Sequence, residues 1–153
     1  MKFAVTLALA AAAFVLASPA SAQSFQKPED AIKYRQGAFR VLGAHFGALG
    51  AMAQGKAPYD AQAAAHHGEV IALVSHLPFT AFGPGTEKGE NTHAKPDIWT
   101  EQAKFKGDAE KMQEAVAKLA AAAKTGSVDN LKAAFGPAGQ TCKACHDSFR
   151  EKL

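Results

Sequence analysis

Apolar residues recur at steps of three and four in four segments of the chain, separated by stretches rich in glycine and proline. The first segment follows "KPEDAI". Pro28 suits a first helical position, and Glu29 and Asp30 favour a helix N-terminus. Its stripe is Ile32, Phe39, Leu42, Phe46 and Leu49, and "QGKAPYD" ends it. The second segment runs from about Asp60 to Leu77, with Ala64, His67, Ile71, Val74 and Leu77 near one face, and stops at Pro78. A long connection follows, "PFTAFGPGTEKGENTHAKP", whose length marks it as functional or as packed against something. The third segment starts near Pro96 or Glu101, with the stripe Phe105, Ala109, Met112, Val116, Leu119 and Ala123. "KTGS" closes it, Gly126 as C-cap and Ser127 as the next N-cap. The fourth stripe is Val128, Leu131, Phe135, Ala138, Cys142, Cys145 and Phe149. Pro137 falls inside it and predicts a kink or a division into two pieces. The pattern predicts an all-α fold, an antiparallel four-helix bundle with one long crossover. Gly37, Gly43, Gly47 and Gly50 weaken the first helix by about 1 kcal/mol each relative to alanine. Close approach by another helix is one reason for them, crowding by a bound group in the bundle is a second, and fraying at Gly50 is the alternative.

The start of the chain departs from this pattern. Met1-Lys2 is a short positive region, Phe3 to Leu16 is a small-residue apolar run, and Pro19 breaks it before Ala20-Ser21-Ala22. This reads as a signal peptide, residues 1–22, cleaved after Ala22, and the run is too short for an ordinary membrane span. Residues 23–153 then suit a single exported domain, with no membrane segment in the mature form. Loss of Lys2 lowers the net charge from +3 to +2, a balance too weak to indicate nucleic acid or an anionic membrane as partner.

The fourth stripe also carries the chemistry. Cys142 and Cys145 are the only cysteines, and His146 follows at once. A disulfide between them would close a tiny loop and stabilise little. A thioredoxin-like site places such a pair at a helix start within a βαβ unit, and no segment reads as a strand. Zinc needs four ligands, and a second paired group is missing. Cys-x-x-Cys-His instead matches c-type haem attachment, with two thioethers to the haem vinyl groups and an imidazole on the iron. Since both cysteines lie on the core-facing stripe, one covalent haem c per chain would project into the bundle near its C-terminal helix.

A second protein ligand to the iron is harder to find. Met1 leaves with the signal, Met52 is off the Phe39 stripe, and Met112 sits in line with core positions of the third helix. His45 lies six residues past Phe39 and does not share its face. His66 and His67 reach the haem only if the second helix turns that way, His93 is in the long connection, and each of these histidines, His76 included, is more often solvated or locally bonded than a ligand. The expected state is one protein ligand and an open distal side lined by carbon.

Taken together, "CKACHDSFREK", "KPEDAIKYRQGAF", "APYDAQ", "LPFTAFGPGTEKGEN", "PDIW" and "LKAAFGPAG" resemble, in order, the segments of cytochrome c′, a class II c-type cytochrome of bacteria. The resemblance spans the whole mature chain. It implies a left-handed four-helix bundle, a homodimer built on the first two helices, a periplasmic location and a five-coordinate haem that binds NO and CO. Carried over residue by residue, Cys142 and Cys145 match the thioether cysteines and His146 the axial ligand. Arg150 matches an arginine beside that histidine, and it lies four residues further along the same helix face. Arg35, Gln36 and Glu90 match positions at the haem edge. Arg35 lies on the apolar stripe, where a guanidinium needs a partner; a propionate supplies one, and snorkelling to solvent is the alternative. Phe39 matches the distal position over the iron, where many members carry leucine. Three classes of function follow: an electron carrier with an unidentified redox partner, a protein that binds, scavenges or senses NO and CO, and a peroxidase-like enzyme. No acid–base residue lines up with Phe39, which places the enzyme last.

Overall fold

The computed structural model describes residues 25–152. The signal-peptide segment, residues 1–22, lies outside the described residues. The helices are α1 (Pro28–Ala53), α2 (Ala61–Val74), α3 (Asp97–Thr100), α4 (Gln102–Ala123) and α5 (Val128–Phe149), with a 3₁₀ turn at Pro78–Ala81. No strand occurs among the described residues. The four long helices form an antiparallel bundle in which α1 packs on α2, α2 on α4, α4 on α5, and α5 back on α1.

Local chemistry accounts for the helix ends. Pro28 begins α1, and the Asp60 side chain accepts a hydrogen bond from the Ala63 amide at 2.7 Å to start α2. Ser127 does the same for α5 through the Asn130 amide at 3.3 Å. Both expected starts of the third helix exist. Asp97–Thr100 makes one turn, Glu101 leaves helical geometry at φ −112° and ψ 44°, and α4 begins at Gln102. The second helix is shorter than the pattern implied, because Ser75–Leu77 turns off before Pro78 and leaves Leu77 39% exposed.

Most of the stripe positions are core. Ile32, Leu49, Ala64, Ile71, Leu119, Ala123, Leu131 and Ala138 are fully buried, and Phe39, Phe46, Phe135 and Cys142 pack against the same cluster from its edge. Met112 is buried among them as filler, and so is Met52, which the end of α1 turns inward. Pro137 does not divide α5, which runs unbroken from Val128 to Phe149. The proline faces a solvent hollow shared with Ala133, Ala134 and Thr141, where water can reach the backbone carbonyl left without its helical donor.

Two glycines have steric reasons to be glycine. A Cβ at Gly50 would stand 2.6 Å from Cζ of Phe135, so this residue is a close approach and not a frayed end. A Cβ at Gly68 would stand 3.1 Å from Cβ of Ala123 and 3.2 Å from Cα of Ala120, which sets the spacing of α2 and α4. Gly37, Gly43 and Gly47 meet nothing within 4 Å, so no helix of the same chain explains them.

Leu49→Ala should lower stability by about 2–5 kcal/mol in denaturant unfolding, because the site is enclosed on every side.

Candidate haem-attachment site

Cys142, Cys145 and His146 sit in the last two turns of α5. Both thiols are free and half-buried, while His146 is largely exposed. Burial raises the pKa of Cys142. It pushes that of Cys145 up to about 11, with Asp108 on α4 and Cys142 adding to the effect. Thiols at a helix C-terminus gain no help from the helix dipole, which favours thiolates at the opposite end. The pair is therefore unlike a thioredoxin-type redox centre. His146 is held below its ordinary pKa, first by desolvation and then by Arg150, with Asp147 opposing. It is a neutral imidazole at pH 7, the form that ligates a metal.

The long connection closes over this end of the bundle. The backbone amide of Lys95 donates to the Phe149 carbonyl at 3.0 Å, and that of Glu151 donates to the His93 carbonyl at 2.8 Å. Nζ of Lys95 donates to the Asp147 carbonyl at 3.0 Å. An isolated antiparallel bridge joins Ala94 to Arg150. Arg150 therefore does not lie on the helix face with His146, as its spacing suggested. It is the C-cap of α5, in extended conformation at φ −124° and ψ 135°, and its amide closes the last turn on the His146 carbonyl at 3.0 Å. Lys95, His146, Asp147, Arg150, Glu151 and Lys152 line an open hollow of about 630 Å³.

Arg35 does not snorkel to solvent. At 2% exposure, its two terminal nitrogens donate to the Ala81 carbonyl at 3.1 Å, Oγ1 of Thr86 at 2.9 Å, the Thr86 carbonyl at 2.7 Å and Oγ1 of Thr92 at 3.0 Å. Its guanidinium also stands 4.3 Å over the Phe82 ring. Burial lowers its pKa to about 10, against the opposing pull of Glu87, so it stays charged at neutral pH. Gln36 and Glu90 come together beside it, with Nε2 of Gln36 donating to the Glu90 carbonyl at 2.8 Å. The Glu90 carboxylate pairs with Lys33 at 3.4 Å. Glu90 and Asn91 both have positive φ, 49° and 52°, at the bend that brings Thr92 to Arg35.

Phe39 stands one turn beyond Arg35 and meets Phe79 at 5.8 Å and Phe82 at 6.4 Å between ring centroids. From there, Phe82 meets Phe105 at 5.0 Å, and Phe105 meets Phe149 at 5.2 Å. The pattern of the sequence did not single out Phe79, Phe82, Thr86 and Thr92, because the connection has no period from which a facing side can be read. The one available signal was aromatic residues in a loop, "PFTAF", which mark a segment packed against something.

These residues fit a c-type haem by the chemistry of the donor set: two protonated, unpaired thiols on one face, a neutral imidazole beside them, and an adjoining apolar wall of rings. The comparisons with known proteins agree. A family model described as Cytochrome C′ matches residues 30–150. Cytochrome c′ of Rubrivivax gelatinosus is 56% identical over 128 residues, which are 84% of this chain and 99% of that protein. A crystal structure of cytochrome c′ from Rubrivivax gelatinosus matches with a TM-score of 0.81 at 55% identity, covering 84% of this chain and all of that one. A nitric oxide complex of a mutant cytochrome c prime from Alcaligenes xylosoxidans matches with a TM-score of 0.79 at 48% identity, covering 85% and 100%. The chain belongs to the cytochrome c′ family, whose members carry one covalently attached c-type haem.

Proposed function

We propose that the chain is a periplasmic mono-haem cytochrome, exported by residues 1–22 and folded as one domain over residues 23–153, that transfers electrons and binds NO and CO. The observation that carries this reading is the isolation of His146. Met52 and Met112 are buried in the core cluster, and His45, His66 and His67 lie against one another on α1 and α2. These placements support a single protein ligand and an open position. The haem supplies an iron that exchanges one electron and binds diatomic gases.

Each residue has a part in this reading. Cys142 and Cys145 hold the group covalently and His146 ligates its iron. Arg35, Gln36 and Glu90 stand at its edge, where Arg35 brings a buried positive charge. Phe39 guards the open side, and the rings that meet it, Phe79 and Phe82, carry no proton donor. A peroxidase-like reaction needs one, so the proposed role is binding and electron transfer and not catalysis. Arg150 stands beside His146 and disfavours its protonation. The nitric oxide complex of the Alcaligenes xylosoxidans relative supports the gas-binding half of the reading.

The proposed homodimer uses α1 and α2. Their exposed residues include Val41 at 43% and Leu73 at 76%, Leu77 just past α2 is 39% exposed, and Gly37, Gly43 and Gly47 leave α1 open to a close neighbour.

Four substitutions test these assignments. Cys142→Ser or Cys145→Ser should leave haem on fewer covalent links, read by intact mass and haem-stained denaturing gels. A wild-type chain matured in a competent host with no added haem mass would sink the reading. His146→Ala should abolish the normal ferric spectrum, whereas Met112→Leu should keep it; a change from low-spin to high-spin in Met112→Leu would show that the iron has a second ligand.

Phe39→Ala removes a ring that must move for any distal ligand, a displacement that costs about 1–3 kcal/mol in packed surroundings. CO affinity should therefore rise roughly ten- to a hundredfold in stopped-flow binding. Unchanged affinity would assign the guard to another residue. Leu73→Glu should shift the protein from dimer to monomer in sedimentation equilibrium, and an unaltered dimer would place the interface elsewhere.

A further inference from the structure

Three imidazoles gather on α1 and α2, neither of which carries the attachment motif. His45 comes from α1, and His66 and His67 from α2. Ring centroids lie 4.9 Å apart for His45 and His67, 6.0 Å for His45 and His66, and 5.8 Å for His66 and His67. Nδ1 of His45 and Nδ1 of His67 are 2.8 Å apart. Adjacent histidines on one helix chelate poorly together, but a pair across two helices does not share that restriction. The helix packing brings this pair together, with Leu42, Leu49, Ala64 and Ile71 in one core cluster beneath it. A Cβ at Gly68, next to His67, would stand 3.1 Å from Cβ of Ala123 on α4, a close approach that limits rolling of α2.

We propose that His45 and His67 form a two-imidazole chelate for a divalent transition-metal ion of square-planar preference, Cu²⁺. Metal–nitrogen bonds of about 2.0 Å at a right angle place the two nitrogens about 2.8 Å apart, whereas the tetrahedral angle needs about 3.3 Å. The observed 2.8 Å is the square-planar separation. In the metal-free pair, one ring donates its Nδ1 proton to the other. On binding, that proton moves to Nε2 of its own ring, both Nδ1 lone pairs face the ion, and the pair loses no net proton. No group of three or more His, Cys, Asp or Glu is placed to hold a metal ion together among the described residues, so water completes the coordination. Cu²⁺ is also favoured over Zn²⁺ by the usual order of affinities for nitrogen sites.

The test is equilibrium dialysis of the ferric holoprotein against Cu²⁺ at neutral pH, with copper and iron measured by atomic absorption. One Cu²⁺ per chain is expected. His45→Gln and His67→Gln should each weaken binding at least about tenfold, since even residues behind metal ligands have effects of that size. His66→Gln, His76→Gln and His93→Gln should keep it. An unchanged haem spectrum in every variant shows that the bundle is intact. Absence of bound copper, equal binding in both ligand variants, or half a copper per chain would each overturn the intrachain chelate. Zn²⁺ binding as tight as Cu²⁺ would overturn the square-planar assignment.

Discussion

A buried guanidinium holds the longest connection of this protein onto its first helix. Arg35 has lost nearly all contact with water, yet no carboxylate meets it directly. Two backbone carbonyls and two threonine hydroxyls accept its hydrogen bonds, and the Phe82 ring lies beneath it. Removing a charge from water costs several kcal/mol, so each of these contacts is needed. They tie residues 81–92 to α1, and the far end of the same connection pairs with residues 149–151. The position of the chain around His146 therefore depends on an arginine more than a hundred residues earlier in the sequence.

The two cysteines illustrate how location chooses between chemistries that share a motif. A Cys-x-x-Cys pair at a helix N-terminus is a redox centre because the helix dipole stabilises a thiolate. Here the pair stands at the opposite end, half-buried and beside Asp108, and all three influences keep the thiols protonated. Such thiols are poor nucleophiles at neutral pH, which suits cysteines that persist unpaired until thioethers are made.

The α1–α2 side has a different character from the rest of the bundle. Gly37, Gly43 and Gly47 face open space, Val41 and Leu73 are exposed, and the imidazoles of His45 and His67 lie in contact. None of these features contributes to the core. Each is a residue choice that the stability of a single chain does not require, and they occur on the same two helices.

Much of the architecture was legible in the sequence because a helix repeats every 3.6 residues, and a stripe with that period has one buried face. The four long helices, the Ser127 cap, most core positions and the Cys142–Cys145–His146 motif all follow from local order of that kind. The connection from Pro78 to Pro96 has no period, so nothing in it showed that Thr86 and Thr92 receive Arg35, or that Ala94 pairs with Arg150. The spacing of Arg150 from His146 suggested a shared helix face, but the pairing with Ala94 draws the chain into extended geometry one residue after α5 ends. Pro137 suggested a break that the exposed side of α5 tolerates. The meeting of His45 with His67 was likewise invisible, because their separation is set by how α1 rests on α2. By itself the sequence determined which faces are apolar and where the haem-attachment motif lies, since both depend on near neighbours in the chain. Only the tertiary structure decided what the polar residues touch, because their partners come from segments whose approach is governed by packing.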